Sequence, residues 1–167
     1  MKKLAILVSS LVKNIELAQQ LESEVRHQGA QVEVLNLVEL DLPMYTSALE
    51  DEKGIPLEVQ DLTYKLAACD GFIMVAPEYN GSMPPVLSNT IAWVSRTGDD
   101  FRAVFNQKFI ALATHSGGGG HKVMEAMRSM FAYLGANVLS REIITNFSKP
   151  YNEKTGKKVV EELLKYA

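Results

Sequence analysis

The sequence has little of several features that would restrict its function. Cys69 is the only cysteine among 167 residues, so no internal disulfide can form, as is typical of a protein from a reducing compartment. No apolar run approaches the roughly 20 residues that a transmembrane helix needs. The run Leu4–Val8, which follows two N-terminal lysines, is too short for a signal peptide. We therefore expect a cytoplasmic protein.

The net charge is also low. Seventeen basic and 20 acidic residues give −3, and the sequence contains no block of lysine and arginine. We therefore expect neither a nucleic acid nor a membrane as a partner. Hydrophobic residues make up 47% of the chain and charged residues 22%, as in an ordinary globular protein. The length favours a single domain, residues 1–167.

Five runs of strand type alternate with stretches of helical periodicity. Such alternation predicts an α/β protein with a parallel sheet and helices on both faces. For five strands the expected solution is a flavodoxin-like three-layer sandwich with the strand order 2-1-3-4-5. The last helix is predicted over Glu153–Tyr166. The predicted strands are Lys3–Val8, Gln31–Asn36, Gly71–Ala76, Lys108–Thr114 and Asn137–Ile144.

The segment Leu37–Ile55 has few periodic apolar residues and is predicted to be a long loop. Long loops in compact domains are often functional. Because this one leaves the second strand, we expect it to reach over the ligand described below. Trp93 and Met83 are expected in the core or at a subunit interface.

Three loops are predicted to meet at one edge of this sheet. In the expected strand order the topological switch point lies between the first and third strands, and ligands of open α/β sheets bind there. The loops that reach this point are the most polar or glycine-rich turns of the chain. They are Ser9–Asn14, Pro77–Pro84 and Thr114–His121. We therefore predict a single ligand site.

The first of these loops has the composition of an anion site. Ser9, Ser10, Lys13 and Asn14 supply two hydroxyls, an ammonium and an amide at the start of a helix, where unpaired N–H groups suit a phosphate. The alternative is that Ser10 or Asn14 merely caps the helix. The sequence leaves both interpretations open.

The glycine run is more specific. Four consecutive glycines, Gly117–Gly120, lower stability through backbone entropy, so the run needs a reason. Close approach of the backbone to a flat ligand is favoured over loop flexibility. His115 and His121 flank the run, but no Cys, Asp or Glu stands nearby at ligand spacing. We expect no metal site and interpret both histidines as surface or hydrogen-bonding residues.

No catalytic side chain is predicted. Glu78 and Tyr79 could be a general base and acid, but no histidine or second carboxylate lies near them in sequence. The sequence has no nucleophile elbow and no Walker lysine, and no dinucleotide fingerprint follows the first strand. The chemistry must therefore come largely from a bound cofactor.

A longer motif runs from Pro77 to Trp93 and reads P-E-Y-N-G-S-M-P-P-V-L-S-N-T-I-A-W. It closely resembles P-E-Y-N-G-S-x-P-G-x-L-K-N-A-I-D-W, the signature of the NADPH-dependent FMN reductase family, which includes quinone, chromate and azo-dye reductases. The resemblance spans nearly the whole chain, since Asp70-Gly71, Ser95-Arg96 and Ser116–Gly120 also match.

The resemblance implies that FMN binds at the predicted site. NADPH would pass a hydride to N5 of the flavin, which would hand electrons to a small-molecule acceptor. Residues Pro77–Gly81 would contact the ring and ribityl chain, and Ser116–Gly119 the other edge of the ring. Family members are usually homodimers or homotetramers, with the helix after the signature at the interface. The expected cofactor-binding residues are Ser9, Ser10, Lys13, Asn14, Pro77, Glu78, Tyr79, Asn80, Gly81, Ser82, Ser116, Gly117, Gly118 and Gly119.

The first loop departs from the family pattern G-S-x-R-x-x-S-x-N. Val12 stands where arginine is expected, and Lys13 cannot reproduce a bidentate contact to phosphate. This predicts weak FMN binding or a ligand without the phosphate. Ser88 and Ala92 replace the family's Lys and Asp, and Pro85 replaces Gly, which changes the expected interface helix.

Two alternatives to the reductase stay open. One is an FMN-binding electron carrier or flavin-sensing module without NAD(P)H turnover. The other is a family member that has lost its cofactor and acts by association. A carrier would bury the flavin ring, whereas a reductase would leave one face open for the nicotinamide.

Overall fold

The computed structural model describes all residues from 1 to 167. It contains five strands and six helices, which alternate along the chain except for one additional helix between β2 and β3. None of these helices combines the length and apolar character that crossing a bilayer requires. The elements are β1 (Lys3–Val8), α1 (Lys13–His27), β2 (Gln31–Asn36), α2 (Ser47–Lys53), α3 (Leu57–Ala67), β3 (Gly71–Val75), α4 (Pro85–Val94), β4 (Phe109–His115), α5 (His121–Tyr133), β5 (Asn137–Thr145) and α6 (Glu153–Tyr166).

All five strands form one parallel sheet of order β2-β1-β3-β4-β5, which confirms the predicted flavodoxin-like topology. Two apolar clusters cover its faces. Ile73 and Val75 of β3 belong to the cluster that contains α1 and α6 residues, and Phe72 and Met74 to the cluster of α3, α4 and α5. Because side chains alternate along a strand, burial on both faces explains why β3 is apolar throughout.

The segment Leu37–Ile55 is not the long loop that the sequence predicts, because it contains helix α2. Thr46 begins this helix, and its side chain accepts a hydrogen bond from the Leu49 N–H (3.1 Å). None of the seven residues of α2 is buried. The helix therefore leaves no apolar periodicity in the sequence, which is the signal that would have predicted it.

Helix α4 holds this segment through two buried polar side chains. Asn89 accepts from the Tyr45 N–H (2.7 Å) and donates to the Pro43 carbonyl (3.0 Å). The Trp93 indole N–H donates to the same carbonyl (2.7 Å), and the Trp93 ring is fully buried beside that of Tyr45. Trp93 thus belongs to the core, one of its two expected places. The segment lies along α4, and its reach over a ligand stays a prediction.

Tyr151 packs directly on Gly156, in the first turn of α6. A methyl group at Gly156 would overlap the phenol oxygen of Tyr151. We expect Gly156→Ala to lower the free energy of unfolding by about 1–2 kcal/mol, because such overpacking outweighs the usual gain of about 0.5–1 kcal/mol for this exchange in a helix. Urea denaturation measures the change. In a Tyr151→Ala background, where the phenol is absent, the same substitution should raise the free energy of unfolding. Stabilisation in both backgrounds would contradict the described packing.

The same tyrosine should make stability depend on alkaline pH. Burial, together with repulsion from Glu24 and Glu153, raises the pKa of Tyr151 from 10.0 to about 12. The raised pKa contributes stability that is complete below pH 10 and is lost as the pH rises through the folded-state value. Across that range, the free energy of unfolding should fall more steeply for the unsubstituted protein than for Tyr151→Phe. Equal slopes would mean that the phenol ionises freely in the folded protein.

Candidate functional site

The candidate site lies at the carboxyl ends of β1, β3 and β4, which are neighbours in the sheet. Residues 9–12 connect β1 to α1, residues 76–84 connect β3 to α4, and residues 116–120 connect β4 to α5. The strand order therefore brings the three predicted loops to one edge of the sheet. We call this edge the rim.

The start of α1 is open. Val12 occupies the N-cap position with φ +60°, which is unfavourable for a β-branched residue, and no side chain caps the helix. The six consecutive backbone N–H groups of residues 10–15 donate to no acceptor in the protein. A typical helix leaves four such groups at its first turn. The alternative that Ser10 or Asn14 merely caps the helix is therefore wrong.

Asn14 instead joins α1 to the end of β4. Its side-chain amide donates to the His115 carbonyl (3.0 Å) and accepts from the His115 N–H (2.9 Å). Ser9 joins the same loop to β3, since its N–H donates to the Val75 carbonyl (3.0 Å) and its hydroxyl lies 3.3 Å from that oxygen. Both side chains are buried. They hold the loop in place.

The other two predicted residues of this loop reach the surface to different degrees. The Ser10 hydroxyl is mostly buried and forms no hydrogen bond within the protein. Lys13 is half-exposed and forms an ion pair with Glu16, one turn later in α1 (2.7 Å). An exposed pair of this kind contributes little to stability, so the ammonium can exchange its partner.

The β3–α4 loop contains a two-residue hairpin turn. The Tyr79 N–H donates to the Ser82 carbonyl and the Ser82 N–H to the Tyr79 carbonyl, both at 3.0 Å. Asn80 and Gly81 between them have φ values of +52° and +71°. Asn-Gly is the residue pair that such a turn favours. The turn thus explains part of the signature motif, and it leaves the Tyr79 side chain half-exposed.

A chain of hydrogen bonds links this loop to the β4–α5 loop. The Thr114 hydroxyl donates its only proton to the Ala76 carbonyl (2.6 Å), so the hydroxyl of Ser116 must donate to Thr114 (2.8 Å). Ser116 then accepts from the Glu78 N–H (3.0 Å), and its own N–H donates to the Thr145 carbonyl (3.1 Å). The buried Ser116 side chain is thus fully used in joining loops.

The side chain of Glu78 contacts α5. Its Oε2 accepts from the backbone N–H groups of Lys122 (3.0 Å) and Val123 (3.3 Å), at the first turn of that helix. No pattern in the sequence predicts this contact, because the carboxylate and the helix that it caps are more than 40 residues apart.

Only one glycine of the run is required by the protein itself. Gly120 has φ +73°, and a methyl group there would lie 2.8 Å from a Thr114 methyl carbon. At Gly117 and Gly118 an added methyl group would meet nothing within 4 Å, and at Gly119 it would be in ordinary contact with the His121 ring. The first three glycines are exposed. They form an exposed surface of backbone that is free of side chains.

His115 lies at the rim beside a cleft that the sequence did not predict. His115 Nδ1 donates to the Thr145 hydroxyl (3.1 Å), because that hydroxyl gives its own proton to the Thr114 carbonyl (2.9 Å). The expectation of a hydrogen-bonding histidine is thus confirmed for His115. Beside it lies a cleft of about 250 Å³ between α1 and the β5–α6 loop, with Phe147 and Tyr151 on its wall. The turn-forming residues of N-F-S-K-P, 146–150, were the available signal.

No group of three or more His, Cys, Asp or Glu side chains is arranged to hold a metal ion. The buried Nε2 of His115 has no hydrogen-bond partner in the protein. The groups at the rim that face outward without a protein partner are the Ser10 hydroxyl and the backbone N–H groups at the start of α1 and in the glycine run. Such groups bind anions and carbonyl oxygens, and they have no acid or base function of their own.

Comparison with known sequences identifies relatives of this chain. The family model for NADPH-dependent FMN reductase matches residues 1–149. A quinone reductase from Escherichia coli is 34% identical over 103 residues, 60% of this chain and 53% of its own length. This chain thus spans about half the length of that relative. An NAD(P)H-dependent FMN reductase from Schizosaccharomyces pombe is 23% identical over 145 residues, 81% of this chain and 68% of its own.

Comparison with solved structures agrees on the fold. The flavoenzyme NAD(P)H:(acceptor) oxidoreductase FerB from Paracoccus denitrificans superposes with a TM-score of 0.81, at 21% identity over 99% of this chain and 97% of its own. A flavodoxin, WrbA-like protein from Agrobacterium tumefaciens gives 0.70 at 14% identity, over the whole of both chains. The family description also names both cofactors that the sequence predicts, FMN and NADPH. Since its model matches nearly nine tenths of the sequence, this chain belongs to the NADPH-dependent FMN reductase family.

Proposed function

We propose that this chain is an FMN-dependent NAD(P)H oxidoreductase, which transfers hydride from NADPH to bound FMN and electrons onward to a flavin, a quinone or a similar small acceptor. The observation that carries the proposal is the pairing, at one rim, of six unpartnered N–H groups at the start of α1 with three exposed glycines after β4. The first suits a phosphate and the second suits a flat ring. The names of the related quinone and FMN reductases support the same chemistry.

In this proposal the FMN phosphate binds at residues 10–15, mainly to the main chain. The family's arginine is absent at Val12, but several N–H groups at a helix start can replace its two donors. The Ser10 hydroxyl has no other partner, and Lys13 can turn from Glu16 to the phosphate. Ser9 and Asn14 hold the loop rather than the ligand.

The isoalloxazine ring would lie between the hairpin turn of residues 79–82 and the glycines 117–119. Tyr79, Asn80, Gly81 and Ser82 are exposed on one side, and the three glycines on the other. Pro77, Glu78 and Ser116 would contribute backbone contacts at most, because the side chains of Glu78 and Ser116 bond within the protein. FMN supplies the redox chemistry when bound, and this chain binds and orients it.

The exposure of the rim favours a reductase over an electron carrier. Tyr79 is 49% exposed, and all three glycines are exposed. A ring bound between them would keep one face open to a nicotinamide or an acceptor. No segment of the chain is seen folded over these residues, as a carrier that buries its flavin would need.

We further propose a single FMN-binding domain, residues 1–167, that works in the cytoplasm as a homodimer or homotetramer. Helix α4 presents Pro85 and Ser88 to solvent and Ala92 in part, so a partner subunit would meet small, uncharged side chains there. The single cysteine is buried, in agreement with a reducing compartment.

Flavin affinity tests the phosphate site directly. We expect FMN to bind the cofactor-free protein at least about tenfold more tightly than riboflavin, because each charge-assisted hydrogen bond contributes about 1.5–3 kcal/mol. Quenching of flavin fluorescence measures both affinities, and NAD(P)H oxidation with a quinone tests turnover. Equal affinities would exclude a phosphate site at α1. If neither flavin binds, the reductase proposal fails.

Restoring the family's arginine provides a matched gain-of-function control. Val12 is 69% exposed, so a longer side chain can be accommodated there. Val12→Arg should tighten FMN binding by about tenfold, by adding a bidentate phosphate contact, and leave riboflavin unchanged. An equal gain for both flavins would show that the arginine acts elsewhere than on the phosphate.

Substitutions in the glycine run can distinguish an effect on flavin binding from an effect on stability. Gly118→Ala meets only open space, so the free energy of unfolding should change by less than about 0.5 kcal/mol, while flavin affinity should fall because the methyl group would stand between backbone and ring. Gly120→Ala is the contrasting variant. Its left-handed φ and its contact with Thr114 should lower stability by more than about 1 kcal/mol. Unchanged flavin affinity in Gly118→Ala would contradict the proposed position of the flavin ring against these glycines.

A further inference from the structure

We propose that Glu78 is a positioning residue, which caps α5 from a distant loop and thereby fixes the spacing of the two loops that hold the flavin ring. The effect on flavin rests on the proposed function, whereas the cap itself does not. Glu78 belongs to the signature motif, but its carboxylate points to a helix start rather than to the open rim.

Helix α5 cannot cap itself. Its N-cap residue is Gly120, which has no side chain, and the first turn contains no acidic residue. A helix start carries unpaired N–H groups and a partial positive charge, and a carboxylate satisfies both. Glu78 supplies this carboxylate to the N–H groups of Lys122 and Val123, at 3.0 and 3.3 Å.

Glu78 also contacts the other end of the glycine run. Its own N–H donates to the Ser116 hydroxyl (3.0 Å), which is buried and bonded to Thr114. One residue therefore bonds to both flanks of a run that has no side chains of its own to hold it. This fixes the distance between the hairpin turn of residues 79–82 and the glycine surface of residues 117–119, the gap that a ring would enter.

The cap has an electrostatic consequence as well. Three helices begin at the rim, but α4 starts with Pro84 and Pro85, which have no N–H groups, so α1 and α5 are the two starts that suit an anion. The start of α5 already holds the carboxylate of Glu78, while the start of α1 holds no intramolecular anion. A flavin phosphate therefore finds one open anion position instead of two, which gives the cofactor a single orientation.

The cap is tested on the protein without flavin. Amide hydrogen exchange, followed by NMR, reports on the N–H groups of Lys122 and Val123. We expect Glu78→Ala to accelerate their exchange by about tenfold, as loss of a helix cap predicts. In Glu78→Gln the exchange rates should stay within about threefold of those of the unsubstituted protein, because the amide oxygen can still accept both hydrogen bonds. Glu125→Ala is the matched control, since Glu125 lies in the same helix and pairs only with the Lys122 ammonium. Unchanged exchange in Glu78→Ala would overturn the inference.

Flavin binding then tests the positioning role. Glu78→Ala should weaken FMN and riboflavin by the same factor, about tenfold, because the ring gap and not the phosphate site loses its support. Glu78→Gln should restore both affinities to within about threefold. If Glu78→Gln weakens binding as much as Glu78→Ala while its two amides stay protected, the carboxylate contacts the flavin directly and the positioning role is overturned. If the unsubstituted protein binds no flavin, the proposed function fails, and the exchange data still decide on the cap.

Discussion

The burial of β3 on both faces is the constraint on which the rest of the structure depends. A strand covered by helices on each side leaves its polar residues only at its ends, and the parallel order puts the carboxyl ends of β1, β3 and β4 together. The loops that leave these ends must satisfy their own backbone groups. These loops form the rim. Its chemistry depends on which of their polar groups form hydrogen bonds within the protein and which have no partner there.

Side chains and backbone have different tasks at the rim. The buried polar side chains Asn14, Thr114 and Ser116 bond to backbone atoms of neighbouring loops, and the carboxylate of Glu78 bonds to the start of α5. These hydrogen bonds join the loops of the rim to one another. The N–H groups of residues 10–15 and the exposed glycines are left free. In the proposed function, FMN would bind at the rim through these backbone groups and would supply the redox chemistry, so that the rim itself would need no acid, base or metal.

The sequence predicted best where one local pattern decided the outcome. β1, β2 and α6 begin and end at the predicted residues. The other three strands differ from the prediction by one residue, at one end in β3 and β5 and at both ends in β4, because apolar runs and helical periodicity are local signals. Prediction failed where the partner was distant or the signal was missing. The sequence alone cannot distinguish Asn14 as a cap from Asn14 as a link between loops, because its partner, His115, is 101 residues away. Helix α2 contains no fully buried residue, so no apolar periodicity indicates it in the sequence.

The bond between Asn14 and His115 also bears on the order in which the chain assembles. The two residues are 101 positions apart, and β2, β3 and three helices lie between them in the sequence. Closing so long a loop is slow compared with forming local structure, so we expect the rim to be completed late in folding. An unfinished or truncated chain that lacks β4 would leave the first loop without its anchor. A cofactor that binds this rim therefore selects only chains that have completed their fold.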